Sequence, residues 1–177
     1  MAGEDNKTTP VEAKSSAETQ TQPALDGRRI ADYVLEYKIG SGGMGSVFHA
    51  RQISMCRPVA VKILLQSHSD DAKYMERFFR EVRTLAQLEH QNIVRAIEAG
   101  IDNGVAFLAM EYVPGLDLKH RIDMKKKFSE LEALTTCREI ASALAYAWNR
   151  HRIVHRDIKP ANIIIANDNE VKLLDLG

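Results

Sequence analysis

The eight-residue stretch HRDIKPAN, residues 155–162, constrains the fold of this chain more than any other feature. It combines an acid, two permanent cations and an amide, and apolar runs at 153–154 and 163–165 flank it. Because the flanks must enter a core while the polar residues stay accessible, the fold must hold a polar loop between buried segments. A loop with a purely structural role rarely needs that density of polar groups. We therefore interpret this loop as part of a functional site.

The hydrophobic pattern upstream and downstream of the loop predicts several strands and two long helices. One helix should begin near Asp70-Asp71 and present an apolar face containing Met75, Phe78, Val82, Leu85 and Leu88. The predicted helices cover residues 72–88 and about 130–149. The predicted strands are 33–39, 46–51, 58–64, 93–101 and 105–113, followed by a hairpin of 162–166 and 171–176, with turns at 102–104 and 167–169.

A glycine cluster lies between the first two predicted strands and fits the pattern G-x-G-x-x-G-x-V from Gly40 to Val47. Glycines let backbone amides approach phosphate oxygens and adopt φ values closed to other residues. A dinucleotide-binding fold would require a helix after the glycines and an acid about 20 residues later, but a strand and a lysine occur here. A P-loop would require Lys and Ser or Thr directly after the last glycine, but Ser46 and Val47 follow it. A glycine-rich hairpin turn with no ligand remains the alternative.

Two charged residues of opposite sign occur on elements that are otherwise apolar. Lys62 interrupts the strand VAVKIL, and Glu81 lies on the apolar face of the first long helix, between Phe78 and Leu85. A buried carboxylate is costly unless a cation meets it. A surface pair of Glu81 with Arg77 is the alternative, but we predict that Lys62 and Glu81 pair with each other.

Asp175 follows the last predicted strand in the turn Leu-Asp-Leu-Gly. A carboxylate at a strand end could hold a metal ion, while a simple turn residue is the alternative. The stretch 1–28 has no aromatic residue and is rich in Thr, Ser, Glu and Gln, so we expect a disordered leader.

Composition excludes some classes of function and partner. Lys and Arg number 24 and Asp and Glu also 24, so the formal net charge of zero gives no support for nucleic-acid binding. We expect Cys56 and Cys137, which form no metal-binding spacing, to pack as small apolar residues in a reducing compartment. The start of the chain lacks a secretory signal, and no apolar run is long enough to span a bilayer. These features predict a cytoplasmic protein with no membrane segment in this chain.

Taken together, the glycine loop GSGGMGSV, Lys62, Glu81, the loop HRDIKPAN and the turn around Asp175 resemble a Ser/Thr protein kinase of the eukaryotic-like, bacterial type. The resemblance covers about residues 30–177. It implies an α+β, bilobal protein-kinase fold with a complete N-lobe, an antiparallel sheet plus one long helix, at 29–113. Residues 114–177 would be only the start of the helical C-lobe.

The resemblance also implies that ATP and Mg²⁺ are the cofactors, with Mn²⁺ as a substitute. Its nucleotide-binding positions fall on the glycine loop, the sheet, the hinge after the gatekeeper Met110, and the cleft floor. These positions are Gly40, Ser41, Gly42, Gly43, Met44, Gly45, Val47, Ala60, Lys62, Met110, Glu111, Val113, Asp117 and Ile164.

In the same way, the family's catalytic positions transfer to Asp157, Lys159, Lys62 and Glu81. Asp157 matches the base that accepts the proton of the substrate hydroxyl, and Lys62 would hold the α- and β-phosphates with Glu81 as its partner. Lys159 is the cation that Ser/Thr-specific members carry, which favours them over tyrosine kinases. The two Mg²⁺ ligands would be Asn162 and Asp175.

The implied function is phosphorylation of Ser or Thr on protein substrates, with a nucleotide as the second partner. The sequence departs from the family by having Asp-Leu-Gly in place of Asp-Phe-Gly, and by ending at Gly177. We therefore expect a truncated chain that alone transfers phosphate weakly, with part of the apolar face of helix 130–149 exposed. The alternatives are a non-catalytic nucleotide-binding or interaction module and a phosphotransferase for small molecules.

Overall fold

The computed structural model of this chain describes residues 27–42, 45–64, 72–124 and 127–174. It contains nine strands, three α-helices and one short 3₁₀ turn in this part of the chain. In chain order they are β1 (Arg29–Ile30), β2 (Tyr33–Gly42), β3 (Gly45–Gln52), β4 (Arg57–Leu64), α1 (Ala72–Leu85), β5 (Ala96–Asp102), β6 (Val105–Glu111), β7 (Gly115–Asp117), α2 (Leu118–Asp123), α3 (Glu130–His151), the 3₁₀ turn (Pro160–Asn162), β8 (Ile163–Ala166) and β9 (Val171–Leu173).

The first six strands form one antiparallel sheet in the order β1-β2-β3-β4-β6-β5. The sheet curls until its two edges meet. The amide of Ala31, beside β1, donates to the carboxylate of Asp102 at 2.8 Å, and the hydroxyl of Tyr33 donates to Glu98 at 2.7 Å. These contacts between the two edge regions stabilise the curvature of the sheet. Its concave face forms one side of the cleft between the two lobes.

The two faces of this sheet belong to different apolar cores. On the outer face, alternate residues of β2, β3 and β4, such as Leu35, Phe48 and Val61, pack with Phe107 of β6. The inner-face core continues through α1 and α3 into the second sheet, so it spans both lobes. Its buried members include Ala60, Leu64, Phe78, Leu85, Leu108, Met110, Ile140, Ala143, Ile163, Ile165, Val171 and Leu173.

Helix α1 packs against the inner face much as its pattern predicts. Phe78 and Leu85 are buried, and Met75 and Val82 are half-buried against the same core. Leu88 is also buried but lies beyond the helix, which ends at Leu85. The helix start predicted at residues 70–71 lies outside the described residues.

Helix α3 begins at a capping box in which Ser129 and Glu132 each bind the other's backbone amide. It ends two residues later than predicted, at His151, where Arg152 takes the left-handed conformation with φ 57°. As expected, part of the predicted apolar face is exposed: Leu131 is 75% exposed and Leu134 61%.

The prediction that the cysteines pack as apolar residues is wrong. Cys56 lies in the β3–β4 turn with φ 49°, Cys137 lies on an outward face of α3, and both are exposed free thiols. The turn geometry and the orientation of α3 decide their exposure, and neither can be derived from the type of residue. No helix in the described part of the chain is long and apolar enough to cross a membrane.

Strands β7, β8 and β9 form a small antiparallel sheet below the hinge. The loop after α1 attaches this sheet to the N-lobe. The amide of Leu173 donates to the carbonyl of Asn92 at 2.9 Å, and the amide of Val94 donates to the carbonyl of Leu173 at 3.0 Å. The strand that leads to Asp175 is therefore hydrogen-bonded directly to an N-lobe loop.

Candidate active site

The predicted ion pair between the sheet and α1 is present. Lys62 Nζ lies 2.5 Å from Glu81 Oε1, and the two side chains are only 12% and 8% exposed. Each charge lies on an otherwise buried element, so each reduces the desolvation cost of the other. The pair fixes α1 against β4 in the orientation that directs Glu81 into the cleft.

The glycine cluster forms the tip of the hairpin between β2 and β3. Gly40 lies opposite Val47, Ser41 opposite Ser46 and Gly42 opposite Gly45, while Gly43 and Met44 lie outside the described residues. This register places the cluster at the end of the sheet nearest Lys62, since Val47 is also paired with Lys62.

The requirement for glycine differs between the two ends of this hairpin. A Cβ atom added to Gly45 would lie 2.0 Å from the carbonyl oxygen of Ile63, whereas one added to Gly40 would meet only Val47 Cβ at 3.8 Å. Neither glycine has a positive φ angle. At Gly45, the close approach of the β4 backbone explains the absence of a side chain, and the φ argument from the sequence does not apply.

The predicted adenine-contacting residues of the N-lobe share one face of the sheet. Ala60 lies opposite Met110, and Val47 lies opposite Lys62, so these four side chains surround the inner end of the cleft. Met110 is 8% exposed, as a residue packed at the back of a cleft would be.

The hinge starts where β6 ends, at Glu111, and continues through Tyr112 and Val113. The ring of Tyr112 meets the ring of His49 edge-on at 4.4 Å, and His49 stacks on Tyr37 at 4.7 Å. Burial, together with a hydrogen bond to Tyr37, raises the pKa of Tyr112. These aromatic contacts attach the hinge to the base of the glycine hairpin.

The small sheet forms the opposite side of the cleft. Ile164 lies between Asp117 on β7 and Lys172 on β9, so the three residues form one row across the sheet. Asp117 caps α2 by accepting from the amide of His120 at 2.7 Å, and its second oxygen lies 2.9 Å from His120 Nδ1. The carboxylate of Asp117 is thus held at the rim of the cleft.

The loop 155–162 brings three of the predicted catalytic and metal-binding residues together. Asp157 Oδ2 accepts from Lys159 Nζ at 2.6 Å and from Asn162 Nδ2 at 3.1 Å. The hydrogen bond from Lys159 is the main reason that the pKa of Asp157 is lowered from its ordinary value. Asp157 is therefore an exposed carboxylate that is ionised at neutral pH.

A buried histidine supports this loop from below. His155 is 2% exposed, its Nδ1 accepts from the amide of Asp157 at 3.3 Å, and its Nε2 lies 2.9 Å from the carbonyl of Leu174. Because Nδ1 accepts, Nε2 must carry the proton that is donated to Leu174. The ring thus connects Asp157 to the residue before Asp175.

The residues expected to hold Mg²⁺ have suitable oxygen donors. Asn162 is buried and donates from its amide nitrogen to the backbone carbonyl and the side chain of Asp157, and its amide oxygen is the atom that would bind a cation. Asp175 lies outside the described residues, but the amide of Leu174 donates to the carbonyl of Asn162 at 2.8 Å. Oxygen ligands of this kind suit Mg²⁺. Within the described ranges, no three acidic, His or Cys side chains form a metal cluster.

One charged residue in this region, Lys172, was not predicted from the sequence. Lys172 is 11% exposed at its side chain and pairs with Glu111 at 3.2 Å and with Glu170 at 3.4 Å. The reasoning that identified Lys62, a lysine inside an apolar strand, applies equally to Lys172 within VKLL.

Comparison with known proteins gives one consistent family. The protein kinase domain family matches residues 33–177. The Ser/Thr-protein kinase PrkC of Bacillus subtilis is 39% identical over 154 residues, which cover 86% of this chain and 24% of that protein. PknF of Mycobacterium tuberculosis is 37% identical over 163 residues, covering 88% and 34%. This chain thus spans about a quarter to a third of these relatives.

Comparison with solved structures identifies the same family. The crystal structure of the PknI kinase domain of M. tuberculosis superimposes with a TM-score of 0.71 at 29% identity. The match covers 85% of this chain and 60% of that domain. The two-lobe α+β architecture, with an N-lobe and part of a C-lobe, is therefore confirmed.

Proposed function

The chain belongs to the protein kinase family, among its bacterial Ser/Thr members, and from this premise we propose that the protein phosphorylates Ser or Thr on protein substrates with Mg·ATP. The observation that carries the proposal is the group around Asp157. An ionised, accessible carboxylate is held by Lys159 and Asn162 next to the strand leading to Asp175. A loop that only connected two elements would not need this arrangement.

In the proposed reaction, Asp157 orients the substrate hydroxyl and accepts its proton as the oxygen attacks the γ-phosphorus. The bond from the γ-phosphorus to the bridging oxygen breaks, and ADP leaves. Lys159, 2.6 Å from Asp157, would neutralise charge on the transferred group. Lys62, held by Glu81, would contact the α- and β-phosphates.

Asn162 and Asp175 would hold the Mg²⁺ ions, whose role when bound is to neutralise charge on the phosphates. The glycine hairpin would cover the phosphates. Adenine would lie between Val47 and Ala60 above and Ile164 below, with the backbone of Glu111 and Val113 as hydrogen-bonding partners. Asp117 would meet the ribose.

The test is transfer of labelled γ-phosphate from ATP to a generic protein substrate by the full-length protein. Asp157→Ala and Lys62→Met should each reduce turnover by a factor on the order of 10² or more. Lys119→Met and Asp123→Ala alter an exposed ion pair at 2.6 Å on α2 and serve as matched controls. Full turnover by Asp157→Ala would favour the non-catalytic module, and transfer only to small metabolites would favour the small-molecule phosphotransferase.

We also propose that residues 1–177 alone transfer phosphate weakly and that the protein acts in the cytoplasm. The exposed apolar side chains of Leu131, Leu134 and Trp148 on α3 support the first proposal, since such a face favours association over a stable catalytic unit. Turnover by purified 1–177 equal to that of the full-length protein would contradict it. Fractionation of native cells tests the location.

A further inference from the structure

An ion pair between Glu111 and Lys172 joins the hinge of the N-lobe to the small sheet of the C-lobe. The proposed mechanism does not use these two side chains. Glu111, at the end of β6, lies 3.2 Å from Lys172 of β9, through Oε1 and Nζ respectively. The side chain of Lys172 is 11% exposed and that of Glu111 27%. The hinge role implied for Glu111 concerns its backbone, so its carboxylate is available for another purpose.

The carboxylate of Glu111 is oriented from the N-lobe side. Its Oε1 accepts from the amide of Arg95 at 3.0 Å, and the amide of Glu111 donates to the carbonyl of Arg95, also at 3.0 Å. These two bonds fix the side chain and the backbone of the same hinge residue. The ammonium of Lys172 then attaches this fixed group to the C-lobe.

On the C-lobe side, Lys172 is the cross-strand neighbour of Ile164, the residue expected beneath adenine. It also precedes Asp175 by three residues in the sequence. A change in the position of Lys172 relative to Glu111 would therefore change the distance between the hinge and the floor of the nucleotide slot. It would also move the strand that leads to the metal-binding turn.

Two backbone hydrogen bonds of Leu173 hold this strand to the loop after α1, but apolar packing does not fill the side of the hinge next to Lys172. Glu111 and Lys172 line a cavity of about 200 Å³, together with hinge residues 112–114 and residues of the turn between β8 and β9. Because this side of the hinge is not filled by side chains, the ion pair supplies a contact that apolar packing does not. A partly buried ion pair of this kind has a defined geometry and resists separation.

We propose that Glu111 and Lys172 are positioning residues whose ion pair sets the spacing between the hinge and the floor of the nucleotide slot. This inference rests on the proposed function, because the slot must first accept an adenine nucleotide. The pair acts through the backbone of the hinge and through Ile164, without touching the nucleotide itself.

The test is calorimetric titration of the full-length protein with Mg·ADP, with the melting temperature of each variant measured in parallel. In Lys172→Met and Glu111→Gln, Kd should rise about five- to tenfold, the range of a modest coupling energy. The double variant should be no weaker than either single variant, because both remove the same contact. Lys172→Arg, which keeps the charge, should stay within about twofold of the wild type.

Glu170→Gln is the matched control. It removes the other carboxylate near Lys172, at 3.4 Å, without altering the hinge, and should leave Kd unchanged. Equal weakening by Glu170→Gln would overturn the inference, as would a Kd within twofold of wild type in Glu111→Gln. A lowered melting temperature with unchanged Kd would also overturn it, since that is the result of a purely structural role. Absence of Mg·ADP binding by the wild type would instead contradict the proposed function.

Should Lys172→Met fail to fold, Glu111→Gln and Lys172→Arg decide the question. Glutamine at position 111 can still accept from the amide of Arg95, so that the fixed hinge geometry of the N-lobe is kept while the charge is lost.

Discussion

Replacing Lys62 by methionine should lower the free energy of unfolding, mainly through the loss of its charge and only slightly through a change in packing. Methionine fills a similar volume, but the change leaves the carboxylate of Glu81, 8% exposed, without the ammonium at 2.5 Å. Removal of one partner from a buried ion pair costs about 3–5 kcal/mol. Because neither side chain is completely buried, we expect the lower end, about 3 kcal/mol in the free energy of unfolding.

The matching double variant, Lys62→Met with Glu81→Leu, should regain most of this loss. It removes both charges and replaces them with apolar groups, a change that is often neutral or stabilising. We expect its free energy of unfolding within about 1 kcal/mol of the wild type. Nucleotide binding should be lost in both variants, because each lacks the cation that we propose holds the phosphates.

Urea unfolding, followed by the fluorescence of Trp148, measures both effects. With a slope of about 2 kcal/mol per molar urea, a loss of about 3 kcal/mol lowers the midpoint by about 1.5 M. The reasoning would be refuted if Lys62→Met left the midpoint within about 0.3 M of the wild type. It would equally be refuted if the double variant were no more stable than Lys62→Met.

Four further substitutions test three separate features. Lys159→Met should raise the pKa of Asp157 toward its ordinary value, so that the carboxylate protonates at higher pH. An NMR titration of the Asp157 carboxyl carbon that is unchanged in the variant would show that Lys159 is not the cause of the lowered pKa. Gly45→Ala should destabilise the protein by about 2 kcal/mol, since its Cβ would collide with the β4 backbone. Gly40→Ala should shift stability by less than about 1 kcal/mol, and equal thermal shifts for the two would refute the steric explanation. Ser129→Ala should cost about 1 kcal/mol by removing the cap of α3, which thermal unfolding measures.

Local sequence patterns determined most of the fold of this protein. Strands β2 to β6, β8 and β9 and helices α1 and α3 follow from hydrophobic periodicity, because it depends on neighbours within one or two turns. The short elements β1, β7 and α2 were not predicted. The pairing of Lys62 with Glu81 was also predictable, since each charge lies in an apolar element and burial of either alone would be costly. The residues grouped around Asp157 lie within eight positions of one another, so the sequence itself brings them close.

Other features were decided only by the tertiary structure. One partner of Lys172, Glu111, lies 61 positions earlier in the sequence, and the two meet only because the small sheet docks below the hinge. Gly45 needs to be glycine because the β4 backbone passes within van der Waals distance, which a glycine-rich motif cannot reveal. Sequence periodicity specifies which face of an element is buried, whereas the curl and register of the sheets specify what that face meets.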